Sequence, residues 1–296
     1  MTALADRPST TTTSVTLDGQ RRRPHRVIGI VGGVTLGAFV VVAVIGPWIA
    51  PYTADERPTV PFSRPSADHW LGTDDVGHDI FSLLILGTRS SLLVGLLTAA
   101  LALAIGSLVG ALAGARRGWT DIVAMRTVDV VLALPFIPLL IVAATFAGRG
   151  LVTQVVLIAA LTWARPARLI RSAVFEARSR GHVEVAEGMG ASRWRLLWRH
   201  LSVGAALLVV PLFVRAAMTA ILLEATLAFL GLGDPGRPSW GTLLYWANVR
   251  SAFLTDAWLW WVVPPGAAIA LLVVSLGLVG VAAENRLAPD ALGGAR

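Results

Sequence analysis

No cysteine and no lysine occur among the 296 residues, and only 15% of them are charged. The first absence excludes disulfides and thiolate metal sites. The second removes the lysine with which a P-loop holds a phosphate, so the chain carries no nucleotide site of that kind. Scarce charge goes with 55% hydrophobic residues and a mean hydropathy of +0.69, more apolar surface than the core of a soluble chain this long can hide. Several apolar runs exceed the ~18 residues that mark a membrane-spanning helix. The sequence is therefore that of an all-α integral membrane protein, whose first partner is the lipid bilayer. All 25 basic residues are arginine, and the formal net charge is +7. In a membrane protein such an excess marks cytoplasmic loops, and no nucleic-acid partner is expected.

Residues 1–26 are polar, with a Ser/Thr-rich start and the cluster Arg21-Arg22-Arg23-Pro24-His25-Arg26. They read as a disordered cytoplasmic tail. A signal peptide would need a small-residue cleavage site, and the apolar run behind the cluster is too long for one. Six transmembrane helices follow at residues 27–50, 91–115, 122–147, 151–170, 204–230 and 260–283. The chain divides into the tail, a first transmembrane helix with an external loop (27–90), a transmembrane core (91–283) and a cytoplasmic C-terminal tail (284–296). With both termini inside, cytoplasmic segments hold 18 arginines and external ones six, while Arg215 lies within a span. That asymmetry agrees with the positive-inside rule.

Between the fourth and fifth spans lies a polar, arginine-studded island at residues 173–203. Chains this apolar usually keep such loops short. Glu184 and Ala186 belong to a stretch that can form a short helix, which Gly190 can end because glycine tolerates the left-handed conformation. Ala191-Ser192 follows, and Ser192 suits the cap of a second helix. There Trp194, Leu197, Trp198 and Leu201 share one face, while Arg195 and Arg199 point elsewhere. Two short helices with a sharp bend make a knob for a partner, or an interfacial amphipathic helix with none.

The spans themselves carry few charges. Asp121 sits at the start of the third, where a carboxylate offsets the helix dipole. Arg126 and Asp129 are i, i+3 neighbours able to neutralise each other. Pro135 should kink the third span and Pro166 bend the fourth. Arg215 and Glu224 are nine residues apart, about 900° of helix rotation, so they face opposite sides and cannot pair within one helix. Of Arg215 and Glu224, one can face a water-filled path and the other a neighbouring helix or subunit, while Glu224, near the span's outer end, can also reach the water beyond it. No nucleophile–base pair or phosphate cradle exists, so no catalytic site is expected. His69, His78 and the nearby aspartates have spacings that define no metal site, and an acidic loop with turn residues reads by itself as solvated surface.

Four stretches nevertheless resemble one family, the permease subunits of binding-protein-dependent ABC importers of the peptide/nickel class. Gly72-Thr73-Asp74-Asp75-Val76-Gly77-His78-Asp79-Ile80-Phe81-Ser82 is similar to its G-T-D-x-x-G-R-D-x-x-S-R signature, with His78 and Leu83 replacing the arginines. Residues 126–135 resemble its R-x-x-D-x-x-L-A-L-P pattern. Glu184, Ala186 and Gly190 match E-A-A-x-x-x-G, although Val185 replaces the second motif residue and Leu201-Ser202-Val203 stands where Ile-Leu-Pro is usual. Residues 224–233 followed by Pro238-Ser239-Trp240-Gly241 are similar to its E-A-S-L-S-F-L-G-L-G and P-S-W-G segment.

The resemblance implies a type I ABC importer fold with a coupling-helix loop at 173–203, in a bacterial inner membrane with both termini cytoplasmic. It implies a non-enzymatic permease subunit for di- or oligopeptides, working with a second homologous permease, two ATPase subunits and an external substrate-binding protein. ATP and Mg would be bound by the ATPases, and this chain would hold no cofactor or metal. Glu184, Ala186, Gly190, Ala191, Ser192, Arg195 and Arg199 would contact the ATPases. Asp129, Pro135, Arg215 and Glu224 are candidates for the translocation path or its gate. The alternatives are a nickel or other small-solute importer of the same class, or a self-sufficient secondary transporter.

Overall fold

The computed structural model describes residues 22–116, 118–178, 189 and 202–287. Among them the regular structure is helical: α1 (Arg22–Ile49), α2 (Ile80–Arg116), α3 (Trp119–Ala133), α4 (Phe136–Ala147), α5 (Leu151–Thr162), α6 (Ala164–Arg178), α7 (Ser202–Leu227), α8 (Trp240–Val249), α9 (Trp258–Trp261) and α10 (Val263–Leu287). Four helical stretches are long and apolar enough to cross a membrane, or five if the bent pair α3–α4 counts as one. The apolar α5 has 12 residues, about 18 Å of rise, too short to span the ~30 Å hydrocarbon core alone. A sixth crossing therefore needs α5 and α6 together.

Helix α2 is the axis of the bundle and touches α1, α3, α5, α6, α7 and α8. It begins at Ile80 rather than near residue 91, because Asp79 caps it: Asp79 Oδ2 accepts the Ser82 N–H at 2.8 Å and the Ser82 hydroxyl at 2.7 Å. Its 37 residues extend ~55 Å, well past the apolar layer. Small residues let neighbours approach its backbone. A Cβ on Gly106 would stand 2.7 Å from Trp163 O, one on Gly110 2.3 Å from Ala167 O, and one on Gly114 3.0 Å from Arg171 O. These three glycines, four residues apart, form the groove in which α6 lies. On another face of α2, Gly87 meets the Ser239 backbone and Gly95 meets Ile221 of α7. Between apolar helices in lipid, such close backbone approach replaces the hydrophobic drive that water would provide.

Two expected spans are broken. The third is interrupted between α3 and α4 with a bend of 89°. Leu134 (φ −68, ψ 143) and Pro135 (φ −68, ψ 97) are both extended. Proline clashes with a helical residue before it and pushes that residue to extended angles, so Pro135 breaks the helix where only a kink was expected. In the fourth, Trp163 between α5 and α6 stays in the helical region (φ −63, ψ −24). Pro166 lacks the N–H that Thr162 O would accept, which opens the ladder at that turn. The fifth widens into a π turn at Ala228–Leu232 and reverses at Gly231, whose φ of 79 suits glycine. Helix α8, ten residues long, then packs against α2, α7 and α10.

The α2–α6 groove yields a test. Gly110→Ala should destabilise the protein by ~1–3 kcal/mol through overpacking, read as a lower thermal midpoint in detergent. Gly37→Ala in α1 meets nothing within 4 Å and should be neutral or slightly stabilising.

Candidate functional site

The helices form two polar ends. At one end, α2 finishes, α3 begins and α6 runs towards the island. Arg171 embraces Asp121 with two hydrogen bonds, Nε to Oδ1 at 2.5 Å and Nη2 to Oδ2 at 2.6 Å, tying α6 to α3. Arg168 Nη2 donates to Asp129 Oδ1 at 2.5 Å, whereas Arg126 stands 3.8 Å from the same carboxylate. Asp129 is thus held chiefly by α6 and only secondarily by its i, i+3 neighbour. Arg178 Nη1 donates to the Ala115 carbonyl at 2.7 Å, tying α6 to α2. Helix α6 buries Ala167, Ile170, Val174 and Ala177, a stripe at helical spacing. Its arginines project from the flanks of that stripe and staple it down. Of the expected coupling residues, Glu184, Ala186, Gly190, Ala191, Ser192, Arg195 and Arg199 lie outside the described residues.

The four candidates within the spans do not converge. Asp129 is on the α3–α6 seam, and Pro135 is exposed at the α3–α4 break. Arg215 Nη2 reaches Glu284 Oε1 of α10 at 3.0 Å. Glu224, on the opposite side of α7, is only 2% exposed, so it does not open to water. Its Oε2 accepts the Ser91 hydroxyl at 3.2 Å, and Ser239 lines the same small cavity.

At the other end, the loop between α1 and α2 is folded, not merely solvated. Thr73 is fully buried; its hydroxyl donates to Val60 O at 2.8 Å and accepts the Ser63 N–H at 2.9 Å. Gly72 (φ 66) and Gly77 (φ 94) occupy left-handed angles, and a Cβ on either would collide with the Ser63 or Thr59 carbonyl. Asp74 Oδ1 accepts the Val76 and His78 N–H groups at 2.9 and 2.8 Å. His78 Nδ1 lies 2.8 Å from Asp74 Oδ2, and His69 Nδ1 lies 3.0 Å from Asp79 Oδ1. The histidines and aspartates thus serve each other, and among the described residues no group of three or more His, Asp or Glu is arranged to hold a metal. The signature stretch is a folded cap over the start of α2.

Between this cap and the segment 234–250 opens a cleft of about 460 Å³, lined among others by Asp75, Asp234, Arg57, Arg237, Arg250 and Trp246. Asp75 Oδ2 and Arg250 Nε form an ion pair at 2.7 Å. Burial, and then the neighbouring Asp74 carboxylate, nevertheless hold the Asp75 carboxyl above its ordinary value, against the pull of Arg250. The residues that sequence reasoning missed are Ser91, Ser239, Arg168 and Arg171. For Ser239 a signal existed, since Ser-x-x-Thr before an apolar run can form a capping box, and Ser239 and Thr242 do so here.

A bundle of spans broken at prolines, with a charged cleft at one end and an arginine-stapled helix leading to a polar loop at the other, is the architecture of a transport protein's membrane subunit. Residues 106–292 match the family model described as the binding-protein-dependent transport system inner membrane component, and residues 25–64 match the N-terminal transmembrane domain of oligopeptide transport permease C. A putative peptide permease protein of Brucella suis is 38% identical over 231 residues, 77% of this chain and 76% of its own length. The glutathione transport system permease protein of Pectobacterium atrosepticum is 32% identical over 274 residues, 91% and 89% of the two chains. The probable D,D-dipeptide transport system permease protein of Escherichia coli is 35% identical over 270 residues, 89% and 88%. The chain belongs to the inner-membrane permease family of binding-protein-dependent ABC importers. It is an inner membrane protein and not itself the catalytic subunit, and membership implies partnership with an ATPase and a substrate-binding protein.

Asp75 gives a pH test. A carboxyl with a raised folded-state pKa adds stability below its ordinary value of 3.8 that is lost as the pH climbs through the raised value. The thermal midpoint of Asp75→Asn relative to wild type should therefore rise from acid to neutral pH. A constant difference would contradict the assignment.

Proposed function

We propose that this chain is one of two homologous permease subunits that together form the path of a peptide importer. Its relatives carry peptide, D,D-dipeptide and glutathione names, and a short peptide bond-containing solute is what these share. Six crossings, counting α3–α4 and α5–α6 as bent spans, leave both termini and the island in the cytoplasm, with the cleft end outside. Two ATPase subunits grip residues 173–203 through Glu184, Ala186, Gly190, Ala191, Ser192, Arg195 and Arg199. They also bind the ATP and Mg, because this chain has no lysine for a P-loop. An external binding protein delivers the peptide to the cleft end.

The observation that carries this reading is how α6 is anchored. The helix runs into the island, lies in the α2 glycine groove and is joined to α3 by Arg171–Asp121 and Arg168–Asp129. A displacement of the island by closing ATPases is therefore delivered to α2 and α3 together. The break at Leu134–Pro135 is the point where α3 can turn relative to α4.

Because the chain lacks cysteine, single cysteines report sidedness without background. A cysteine replacing Ser192 should react only from the cytoplasmic side, and one replacing the exposed Arg237 only from outside; the same sidedness for both would sink the topology. Glu184→Lys or Gly190→Val should lower uptake and loosen the ATPases while membrane insertion stays normal. In liposomes, the chain with its partner permease, ATPases and binding protein should accumulate dialanine at the expense of ATP. Uptake by this chain alone on a proton or sodium gradient would show a secondary transporter instead. Uptake of nickel but not dialanine would overturn the peptide assignment.

A further inference from the structure

A carboxylate buried in the bundle is costly unless it is paired or hydrogen-bonded. Glu224 has no arginine within salt-bridge distance among the described residues. It is instead hydrogen-bonded by Ser91, which also serves the start of α8, and stands beside Ser239, which caps that helix. Ser91 Oγ donates to Glu224 Oε2 at 3.2 Å and accepts the Trp240 N–H at 3.3 Å. The Ser239 hydroxyl accepts the Thr242 N–H at 3.2 Å. A hydroxyl offers one donor and two acceptor sites, so Ser91 donates to the carboxyl group and accepts from an amide that a helix N-terminus leaves unpaired. The carboxyl group also sits beside the N-terminal, positive end of the α8 dipole. All four members are closed from solvent, with Ser91 at 1%, Ser239 at 4% and Trp240 at 0%.

The surroundings allow no slack. Ser91 lies on α2 between Gly87 and Gly95, where α2 meets Ser239 and Ile221 at backbone distance. Gly241 of α8 faces Ala225 of α7 so closely that a Cβ would stand 2.7 Å from the Ala225 carbonyl. Trp240 Nε1 donates across to Leu84 O of α2 at 3.1 Å. One carboxylate on α7 thus joins α7, α2 and α8. Nine of the 18 residues lining the cleft lie between Asp234 and Arg250, so half of the cleft is carried by the segment that this network holds.

We propose that Glu224 is a positioning residue for transport: through Ser91 it fixes the start of α8 on α2 and α7, and so sets the wall of the charged cleft at the mouth of the path. It acts as a hydrogen-bond acceptor within the bundle, not as a contact to the transported solute. Opening the mouth by moving α8 requires that the Glu224–Ser91–Trp240 link be broken.

The test has one arm on the purified chain and one on the assembled transporter. Spin labels on cysteines replacing the exposed Arg89 and Asn248 report the α2–α8 distance. Glu224→Ala should broaden that distance, lower uptake about tenfold and raise the ATP hydrolysed per solute, since a freed helix lets ATPase cycles pass unproductively. Glu224→Gln keeps a carbonyl acceptor for Ser91 and should restore the wild-type distance and most of the uptake. A wild-type distance in Glu224→Ala would overturn the proposal. So would a Glu224→Gln protein that assembles normally yet transports as poorly as Glu224→Ala, because the charge itself would then be needed in the path. Should Glu224→Ala fail to insert, Ser91→Ala replaces it and broadens the distance to a smaller degree; no broadening counts against the proposal. The distance arm needs no partner, so a wild-type complex that moves no peptide would fail the peptide assignment alone.

Discussion

The approach of other helices to the backbone of α2 is the constraint on which the rest depends. In lipid, helix association draws on close packing and hydrogen bonds rather than on exclusion of water. Gly106, Gly110 and Gly114 admit α6 on one face, while Gly87, Ser91 and Gly95 admit α7 and α8 on another. A methyl group added at Gly87, Gly106, Gly110 or Gly114 would meet a backbone atom, and one added at Gly95 the Ile221 side chain. Because α2 spans both polar ends, what holds α6 at one end and α8 at the other is a single rigid element.

The two ends use different electrostatics. At the arginine end, Arg168–Asp129 and Arg215–Glu284 are half-exposed pairs, and exposed pairs are worth little each. Arg171–Asp121 is more enclosed and bidentate, which adds direction as well as energy. At the cleft end, Glu224 and its serines are buried, where satisfied hydrogen bonds strengthen and any broken one is costly. Adjustable pairs thus lie beside the loop assigned to the ATPases, and an all-or-none network lies beside the mouth. Between them, the extended pair Leu134–Pro135 and the open turn at Trp163 supply the places where the chain can bend.

Composition was enough to place this protein in a membrane, because 55% hydrophobic residues admit no other solvent. The signature motifs were enough to indicate the permease family, which the match over residues 106–292 bears out. Local chemistry was also legible: Pro135 had to disturb its helix, and 900° of rotation put Arg215 and Glu224 on opposite sides of α7. Small residues at four-residue spacing along α2 were visible too, but their partners were not. Spacing shows that a helix offers a groove and not which helix fills it.

What tertiary structure decided was pairing. Arg168 rather than Arg126 holds Asp129, because α6 lies in the α2 groove and brings its guanidinium closer than the i, i+3 neighbour can reach. Glu224, left by the sequence among a path, a neighbouring helix and outer water, lies against neighbouring helices, beneath α8 with Ser91, 133 positions away. The signature loop, acidic enough to read as solvated surface, is a folded cap because Asp74 and Asp79 spend their oxygens on backbone amides, serine and histidine. Sequence fixes which groups need partners, since burial and unpaired amides are costly wherever they occur. Only the packing of distant helices chooses the partner, because that choice depends on distances that no local periodicity encodes.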